Sequence, residues 1–541
     1  METWTVYLAS LLLLGLVYIF ILLFLRDSAA FPDDIPISGL RNEVFRVVRA
    51  SLRQLTDGMS TLMEGYRKYS ANGKLFILCE PSFQKELMLP PEHIKWFAEQ
   101  SDTVMSSKTI REERHASKYL HMGVEFSSTL YFMERVIRDS LTRNLGDIQQ
   151  PLCDEICQGF DQVFGTDSTE WKTLNVYQSM QEIILQAMCR VFFGEQISRN
   201  QEFLTIYSRY ILAMGVGTMI IGILPGFLKR LLVPFFNVPL WYYRRRTLKI
   251  LLPVVEQQVL RSQSDSKSYD FISQCARTSA KSTSTRTAAE PKQLAEWMML
   301  LVIKTLINAA SFFWADREKG FAAFNSLGGQ SSNVLLDILH SPEELQVYET
   351  LRQEAETSIK SPDDWNNADT FNSLQISDSV IRESLRCHPM LIKGLTKEVV
   401  RKGGLDLPDG THIPQGAWLG VPVLGVHWDA RFYPDPETYD PYRYVKLRRE
   451  RERGPGEDPV PSKDLDAGKP SSTYLGFGYG RHACPGRWYA VLMMKTMFAY
   501  LVLNYDVEPL DPQSSMKVLG DAAMPPFSST VRVRRCNVVG S

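Results

Sequence analysis

Residues 4–25 form an unbroken run of 22 uncharged, mostly apolar positions, and at 1.5 Å per residue such a run crosses a hydrocarbon core of roughly 30 Å. The pattern predicts a transmembrane helix within residues 1–27. Glu2 stands where a signal peptide would be basic, and Arg26 closes the run, which favours a retained anchor over a cleaved leader. Arg41, Arg46, Arg49 and Arg53 follow, so the positive-inside rule puts the rest of the chain in the cytoplasm. Pro32 and Pro36 favour an extended entry into the body. From 40 to 260 apolar positions recur at helical spacing, as in residues 177–194 and 251–263, and the N-terminal half reads as largely α. Residues 211–227 are uncharged, but Thr218, four glycines and Pro225 make them a buried helix or a surface dipping into a membrane rather than a second span. The Ser/Thr-rich stretch 262–292 reads as an exposed connection. Beyond 395, short β-type runs alternate with Gly and Pro turns. The fold class is therefore mainly α with a smaller β portion. Residues 446–470 are charged, rich in Pro and Gly and aperiodic, and read as a surface loop.

Composition narrows the function. Lys+Arg 60 against Asp+Glu 61 leaves a net charge of -1, which argues against a nucleic-acid partner. The 541 residues suggest several domains of about 150 residues each, an expectation the motif spacing below replaces. Eight cysteines lie far apart without a C-x-x-C pair. That argues against a disulfide scaffold and a zinc ribbon and fits a reducing compartment. A cysteine with a chemical role here acts alone.

That cysteine is Cys484. A glycine-rich turn containing Gly478 and Gly480 runs into Cys484, Pro485 and Gly486, and a long apolar helix follows. The glycines let backbone approach a flat, bulky object. Pro485 suits a first helical position, which would put Cys484 at a helix N-terminus, where the dipole and free N–H groups favour a thiolate. A buried inert thiol, or a nucleophile paired with His482, would also be an ordinary use of a cysteine. Neither explains why Phe477, Gly478, Gly480, Arg481, Cys484 and Gly486 occur together. The loop resembles the haem-binding loop of the cytochrome P450 family, F-x-x-G-x-R-x-C-x-G. It is read as Phe477, Gly480, His482, Cys484 and Gly486, with His482 where the family most often has Arg and with Arg481 one position earlier. Either side chain is a candidate partner for a haem propionate. Upstream, Glu383 and Arg386 match the family's E-x-x-R pair, and Pro441, Arg443 and Tyr444 resemble the P-x-R-F element whose arginine completes a structural triad.

The resemblance covers about residue 30 to the C-terminus and implies the cytochrome P450 fold, with 28–541 as one catalytic domain behind the 1–27 anchor. It implies haem b with its iron held by the Cys484 thiolate, whose electron donation favours O–O cleavage. It also implies electrons from an NADPH-dependent reductase, with Arg487 and Lys495 as basic contacts, and a lipophilic small-molecule substrate. The resemblance is to membrane-anchored fungal members that make terpenoid or polyketide secondary metabolites. The implied place is the endoplasmic-reticulum membrane, single-pass, with the catalytic domain facing the cytoplasm. An oxygen-independent rearrangement on the haem and a non-catalytic haem protein are the competing expectations.

Two departures stand out. The family's central helix carries A/G-G-x-D/E-T-T, whereas residues 294–314 lack the acid and offer Thr305, Asn308 and Ser311. Asn308 and Thr305 are therefore the candidate catalytic groups, Asn308 because a buried amide needs a partner. Residues 315–333 then interrupt the helix, Gly328-Gly329 and Ser331-Ser332 being poor continuations. They read as an insertion bulging to the surface or as an unspliced intron in the gene, which the transcript sequence distinguishes.

Overall fold

The computed structural model describes residues 31–82, 84–114, 117–120, 135–223, 226–264, 271–282, 290–306, 326–453, 462–512, 516–524 and 526–536, with Gly15 alone before them. The predicted anchor thus lies outside the described residues. Among the described residues no helix is long and apolar enough to cross a membrane.

Helices dominate. They are α1 (Arg46–Thr56), α2 (Gly58–Lys68), α3 (Ile94–Glu99), α4 (Lys108–Arg114), α5 (Leu145–Phe164), α6 (Val176–Phe193), α7 (Gln201–Ile223) and α8 (Gly226–Ser264), followed by α9 (Phe271–Ser282), α10 (Pro291–Leu306), α11 (Ser326–Leu339), α12 (Val347–Ser358), α13 (Gln375–Cys387), α14 (Arg443–Arg453) and α15 (Arg487–Asn504). Their ends follow local chemistry. The Asn175 side chain accepts the Gln178 N–H at 2.9 Å to start α6, as an N-cap should. Gly165 and Gly194, with φ of 92° and 86°, stop α5 and α6. One continuous core joins α5, α6, α13 and α15.

The β portion is smaller. One sheet runs β1–β2–β8–β5–β3, from β1 (Phe76–Cys79), β2 (Lys85–Met88), β3 (Met105–Ser106), β5 (Gly394–Val399) and β8 (Trp418–Val421). Only β2 and β8 are parallel. A second runs β4–β12–β9, in which β12 (Thr530–Arg535) pairs antiparallel with both β4 (Lys172–Asn175) and β9 (Tyr505–Pro509). Two small hairpins, β6–β7 (Leu405–Asp406, His412–Ile413) and β10–β11 (Lys517–Leu519, Ala522–Met524), complete it.

Several sequence expectations change. Residues 211–223 belong to α7 and bury Ile211, Met214 and Ile221, so the buried-helix reading holds there. The stretch 262–292 is not simply a connection, because α9 lies within it and buries Phe271, Ile272 and Cys275. The surface-loop reading of 446–470 fails for its first eight residues, which continue α14. There Arg448, 4% exposed, donates to Asp378 Oδ2 at 2.6 Å. A buried partner 70 residues upstream overrides a composition that looks solvated. Finally, 326–333 is helix, continuous with 334–339 as α11, and Gly328, Gly329, Ser331 and Ser332 are buried. Burial offsets the poor helix propensity of glycine, and Ser332 Oγ donates to the Gly328 carbonyl within the helix at 2.7 Å. Any interruption of the central helix lies within 307–325, outside the described residues.

Candidate active site

The cysteine loop is held from behind before it reaches the thiol. Leu475 N–H donates to His427 Nε2 at 2.8 Å, Gly478 N–H to the Leu475 carbonyl at 2.9 Å, and Cys484 N–H to the Phe477 carbonyl at 2.8 Å. Gly478 and Gly480 take φ of 73° and 70°. At Gly480 a Cβ would also lie 2.8 Å from Ala98 Cβ, so that position requires glycine twice over. One correction concerns the helix start: Gly486 is the N-cap of α15, so Pro485 precedes the cap instead of opening the helix. Cys484 still stands just outside the helix N-terminus. Thr142 Oγ1 pins the Pro485 carbonyl at 3.0 Å and Arg487 Nη1 the Cys484 carbonyl at 2.9 Å.

Of the eight cysteines, Cys484 is the exposed one. Burial pushes the thiols of Cys79 and Cys536 up to about 11 and that of Cys157 up to about 12, and it raises those of Cys153, Cys189 and Cys387 as well. Those six are held as neutral thiols and make poor anionic ligands.

The triad behind the loop is closed. Arg386 donates from Nε and Nη2 to the two oxygens of Glu383, both at 2.8 Å, and from Nη1 to the His427 carbonyl at 2.7 Å. Arg443 Nε reaches Glu383 Oε1 at 2.8 Å, and its Nη1 donates to the Pro434 carbonyl at 2.7 Å. Glu383 and Arg386 are 0% exposed. The pair is thus far from an isolated helix-surface pair, because one carboxylate serves two guanidiniums that also tie down four backbone carbonyls.

His427, missed by the sequence reading, joins triad and loop. Its Nδ1 lies 3.0 Å from the Arg386 carbonyl, while Nε2 accepts from Leu475, so the imidazole is neutral with the proton on Nδ1. Burial, with Arg386 beside it, pushes its pKa from 6.5 down to about 3. The sign follows: between those values the unfolded chain takes up a proton that the folded chain refuses, so stability falls as pH falls. Between about pH 7 and about pH 5 the native protein should lose about 2 kcal/mol more than a His427→Asn variant. Denaturant titrations at both pH values check this, and equal losses would refute it.

The cations around the loop sort differently from expectation. His482 Nε2 is engaged with Asp102 at 2.9 Å, whereas Arg481 is exposed. Lys495 is buried, 2.9 Å from Asp378, and so cannot be a docking contact. Lys397, on β5, was not anticipated. It is 2% exposed, and Nζ donates to the Phe97 carbonyl at 2.8 Å and approaches those of Ala98 and Gln100 at 3.4 and 3.5 Å. All three acceptors are neutral carbonyls at the end of α3, the segment packed against Gly480. Burial pushes the Lys397 ammonium down to about 8, with Arg481 adding to the shift and Asp102 opposing it. No run or motif marks this lysine; only the fold carries it to the loop. Of the candidate distal groups, Thr305 lies in the last turn of α10, its side chain undescribed, and Asn308 is outside the described residues.

Farther out, Lys393 Nζ lies 2.6 Å from Glu80 and 3.0 Å from Asp521 and contacts Glu86, and Arg114 reaches Glu86 at 3.0 Å. This buried cluster ties α4, β2 and the C-terminal hairpin together. Burial raises the Glu80 carboxyl, while Lys393 and Arg114 outweigh burial at Glu86 and lower it.

Comparison with known proteins agrees with this geometry. Residues 331–528 match the family model described as Cytochrome P450. The chain is 44% identical over 532 residues to the protein named cytochrome P450 monooxygenase efuH of Hormonema carpetanum, covering 97% of this chain and 91% of that one. It is 45% identical to cytochrome P450 monooxygenase fsoD of Humicola fuscoatra, covering 95% and 94%. Among solved structures it is similar to a retinoic acid-bound cyanobacterial CYP120A1, with a TM-score of 0.63 at 16% identity over 94% of this chain and 100% of that chain.

Proposed function

This chain belongs to the cytochrome P450 family and is a haem-thiolate monooxygenase, and on that premise we propose that Cys484 is the axial ligand of its haem. The observation that carries the assignment is the exposed thiol at the end of a loop whose backbone is pinned from both sides. The residues present fit the group. At Gly478 a side chain would meet nothing nearer than 3.6 Å, which leaves that part of the loop open to a planar macrocycle, and the buried Lys397 ammonium, whose acceptors are neutral carbonyls, together with Arg481, offers positive charge to propionates. His482 remains a proposed propionate partner only if Asp102 releases it. Thiolate-ligated haem supplies oxygen activation, placing one atom of O2 into a substrate C–H bond. The protein supplies the rest: the α15 N-terminus steadies the thiolate, and the triad and His427 keep the loop from shifting.

Lys397→Gln should release haem to an acceptor protein about tenfold faster, the equivalent of losing a charge-assisted hydrogen bond of about 1.5 kcal/mol. Release within twofold of the native rate would remove Lys397 from the role.

The substrate we propose is a lipophilic small molecule of fungal secondary metabolism, a terpenoid or polyketide, and the electron source an NADPH-dependent reductase docking beside Arg487. The proposed setting is a single-pass anchor at residues 1–27 in the endoplasmic reticulum, with the catalytic domain cytoplasmic. Thr305 and Asn308 stay proposed as distal polar groups, joined by Ser326, which opens α11. The test is NADPH-dependent O2 consumption and product formation in microsomes. Thr305→Val, Asn308→Ala and Ser326→Ala should each be compared for product per NADPH, and the group that handles the proton is the one whose loss lowers that ratio. Product without O2 uptake would overturn monooxygenation in favour of rearrangement.

A further inference from the structure

Asp378, Arg382 and Arg386 stand four residues apart on α13, so they follow one another along a single face. All three are buried, and each holds a later part of the chain that approaches Cys484. Asp378 Oδ2 accepts the Ala467 N–H at 2.9 Å. Arg382 Nη1 donates to the carbonyls of Asp464, Asp466 and Lys469, the last at 3.2 Å, and its guanidinium carbon lies 4.0 Å from the centre of the Tyr474 ring and 4.6 Å from that of Tyr444. The Arg386 carbonyl holds His427, which takes the Leu475 N–H. The triad of Glu383, Arg386 and Arg443 accounts for the last of these holds and not for Arg382. That side chain is 3% exposed, and among the described residues its partners are neutral carbonyls and aromatic rings in place of a carboxylate. A cation so buried is costly unless its partners match its shape. A guanidinium is flat and can lie against aromatic faces while it donates in its own plane, which an ammonium cannot do.

We infer that Arg382 is a positioning residue for the haem ligand, acting through the Tyr474 ring. Tyr474 is itself well placed to pass on a hold: its hydroxyl donates to the Ala467 carbonyl at 3.1 Å, its N–H to Ser471 Oγ at 3.0 Å, and its ring lies within 16° of parallel to His427, centroids 5.9 Å apart. Tyr474 and Leu475 are consecutive, and α13 grips them by different means, one through a ring stacked on Arg382 and the other through a backbone N–H held by His427. One hold fixes a place and leaves a pivot. Two holds on neighbouring residues fix direction as well, so the chain enters the turn at one angle and the Cys484 sulfur meets the iron at one angle. Groups that orient a metal ligand without touching the metal set how firmly that ligand stays bound. The inference rests on the assignment of Cys484 as the axial ligand and adds to it what keeps the sulfur in place.

The test follows the reduced, CO-bound holoenzyme over time, as its thiolate-type Soret band gives way to the shorter-wavelength band of haem that has lost the thiolate, with rates expressed per haem. Arg382→Gln should convert about tenfold faster than the native enzyme. Arg382→Lys keeps the charge without the flat stack and should fall between the two. Tyr474→Leu should match Arg382→Gln, whereas Tyr474→Phe, which keeps the ring and loses the bond to Ala467, should stay within about twofold of native. Where Arg382→Gln fails to accumulate, the two variants at 474 decide. A native conversion rate in Arg382→Gln with a lowered melting midpoint would reduce Arg382 to a part of the core and overturn the inference. Equal acceleration by Leu and Phe at 474 would move the role to the hydroxyl and overturn the stacking. A native enzyme without a thiolate-type band would overturn the Cys484 assignment together with this one, while a native band and unaffected variants would overturn this one alone.

Discussion

Cys484→Ala is expected to abolish the long-wavelength Soret band of reduced, CO-treated enzyme and to bring turnover to background, while far-ultraviolet circular dichroism stays that of the native chain. The reason is positional. The backbone of the loop is fixed by bonds from Leu475, Gly478 and Cys484 themselves, and none of these uses the sulfur. Removing the thiol therefore deletes a ligand and leaves its cradle. The other seven cysteines cannot substitute, because six are held as neutral thiols by burial and Cys275 is buried in the helical core. Cys484→His sharpens the test: it should retain haem with an imidazole-type spectrum and still fail to oxidise substrate. A thiolate-type CO spectrum surviving in Cys484→Ala would sink the assignment.

Glu383→Gln should have a large structural effect for the change of a single atom. The substitution keeps the shape and removes the charge that both Arg386 and Arg443 face, leaving two guanidiniums in a site where Glu383 and Arg386 are wholly buried. Breaking a buried ion pair from one side costs about 3–5 kcal/mol, a large part of the 5–15 kcal/mol or so by which a domain is stable. The protein should accumulate poorly and hold little haem, and Glu383→Asp should recover part of the yield. A Glu383→Gln enzyme with native haem content and an unchanged melting midpoint would show that the triad is dispensable. Arg386→Lys is a companion change. A single ammonium cannot serve Glu383 through two parallel bonds and also reach the His427, Pro436 and Thr438 carbonyls.

These two sites were legible in the sequence because the loop around Cys484 and the Glu383–Arg386 pair are short local motifs that resemble those of the cytochrome P450 family in order and spacing; a glutamate three residues before an arginine would by itself read as an ordinary helix-surface pair. What escaped the sequence depended on partners far along the chain. Lys495 looks like a helix-surface charge until Asp378 is found beside it, and Arg448 looks like part of a solvated loop until the same carboxylate is seen to accept from it. Lys397 lies in an ordinary strand, and its significance comes from carbonyls almost 300 residues earlier. The strand β1 was absorbed into a helical reading because its neighbour in the sheet order beyond β2 is β8, more than 300 residues away. Gly328 and Gly329 were read as helix breakers by propensity alone, yet tertiary burial keeps them in α11. The fold class was readable from periodicity, while the helix over 326–333 was not.

The pairing of β4 with β12 has a consequence in time. Lys172–Asn175 bonds to residues 530–533, so at synthesis rates of roughly 5–20 residues per second this edge waits about 20–70 s for its partner. Lys393 waits less, about 6–26 s at the same rates, for its ion partner Asp521. The nascent chain thus carries an incompletely matched buried cation until residue 521 is made and an unpaired strand until residue 533 is made. A message truncated just before residue 530 therefore yields nearly the whole helical body with the β4 edge still open, which makes it a substrate for chaperones and proteases before it is ever an enzyme.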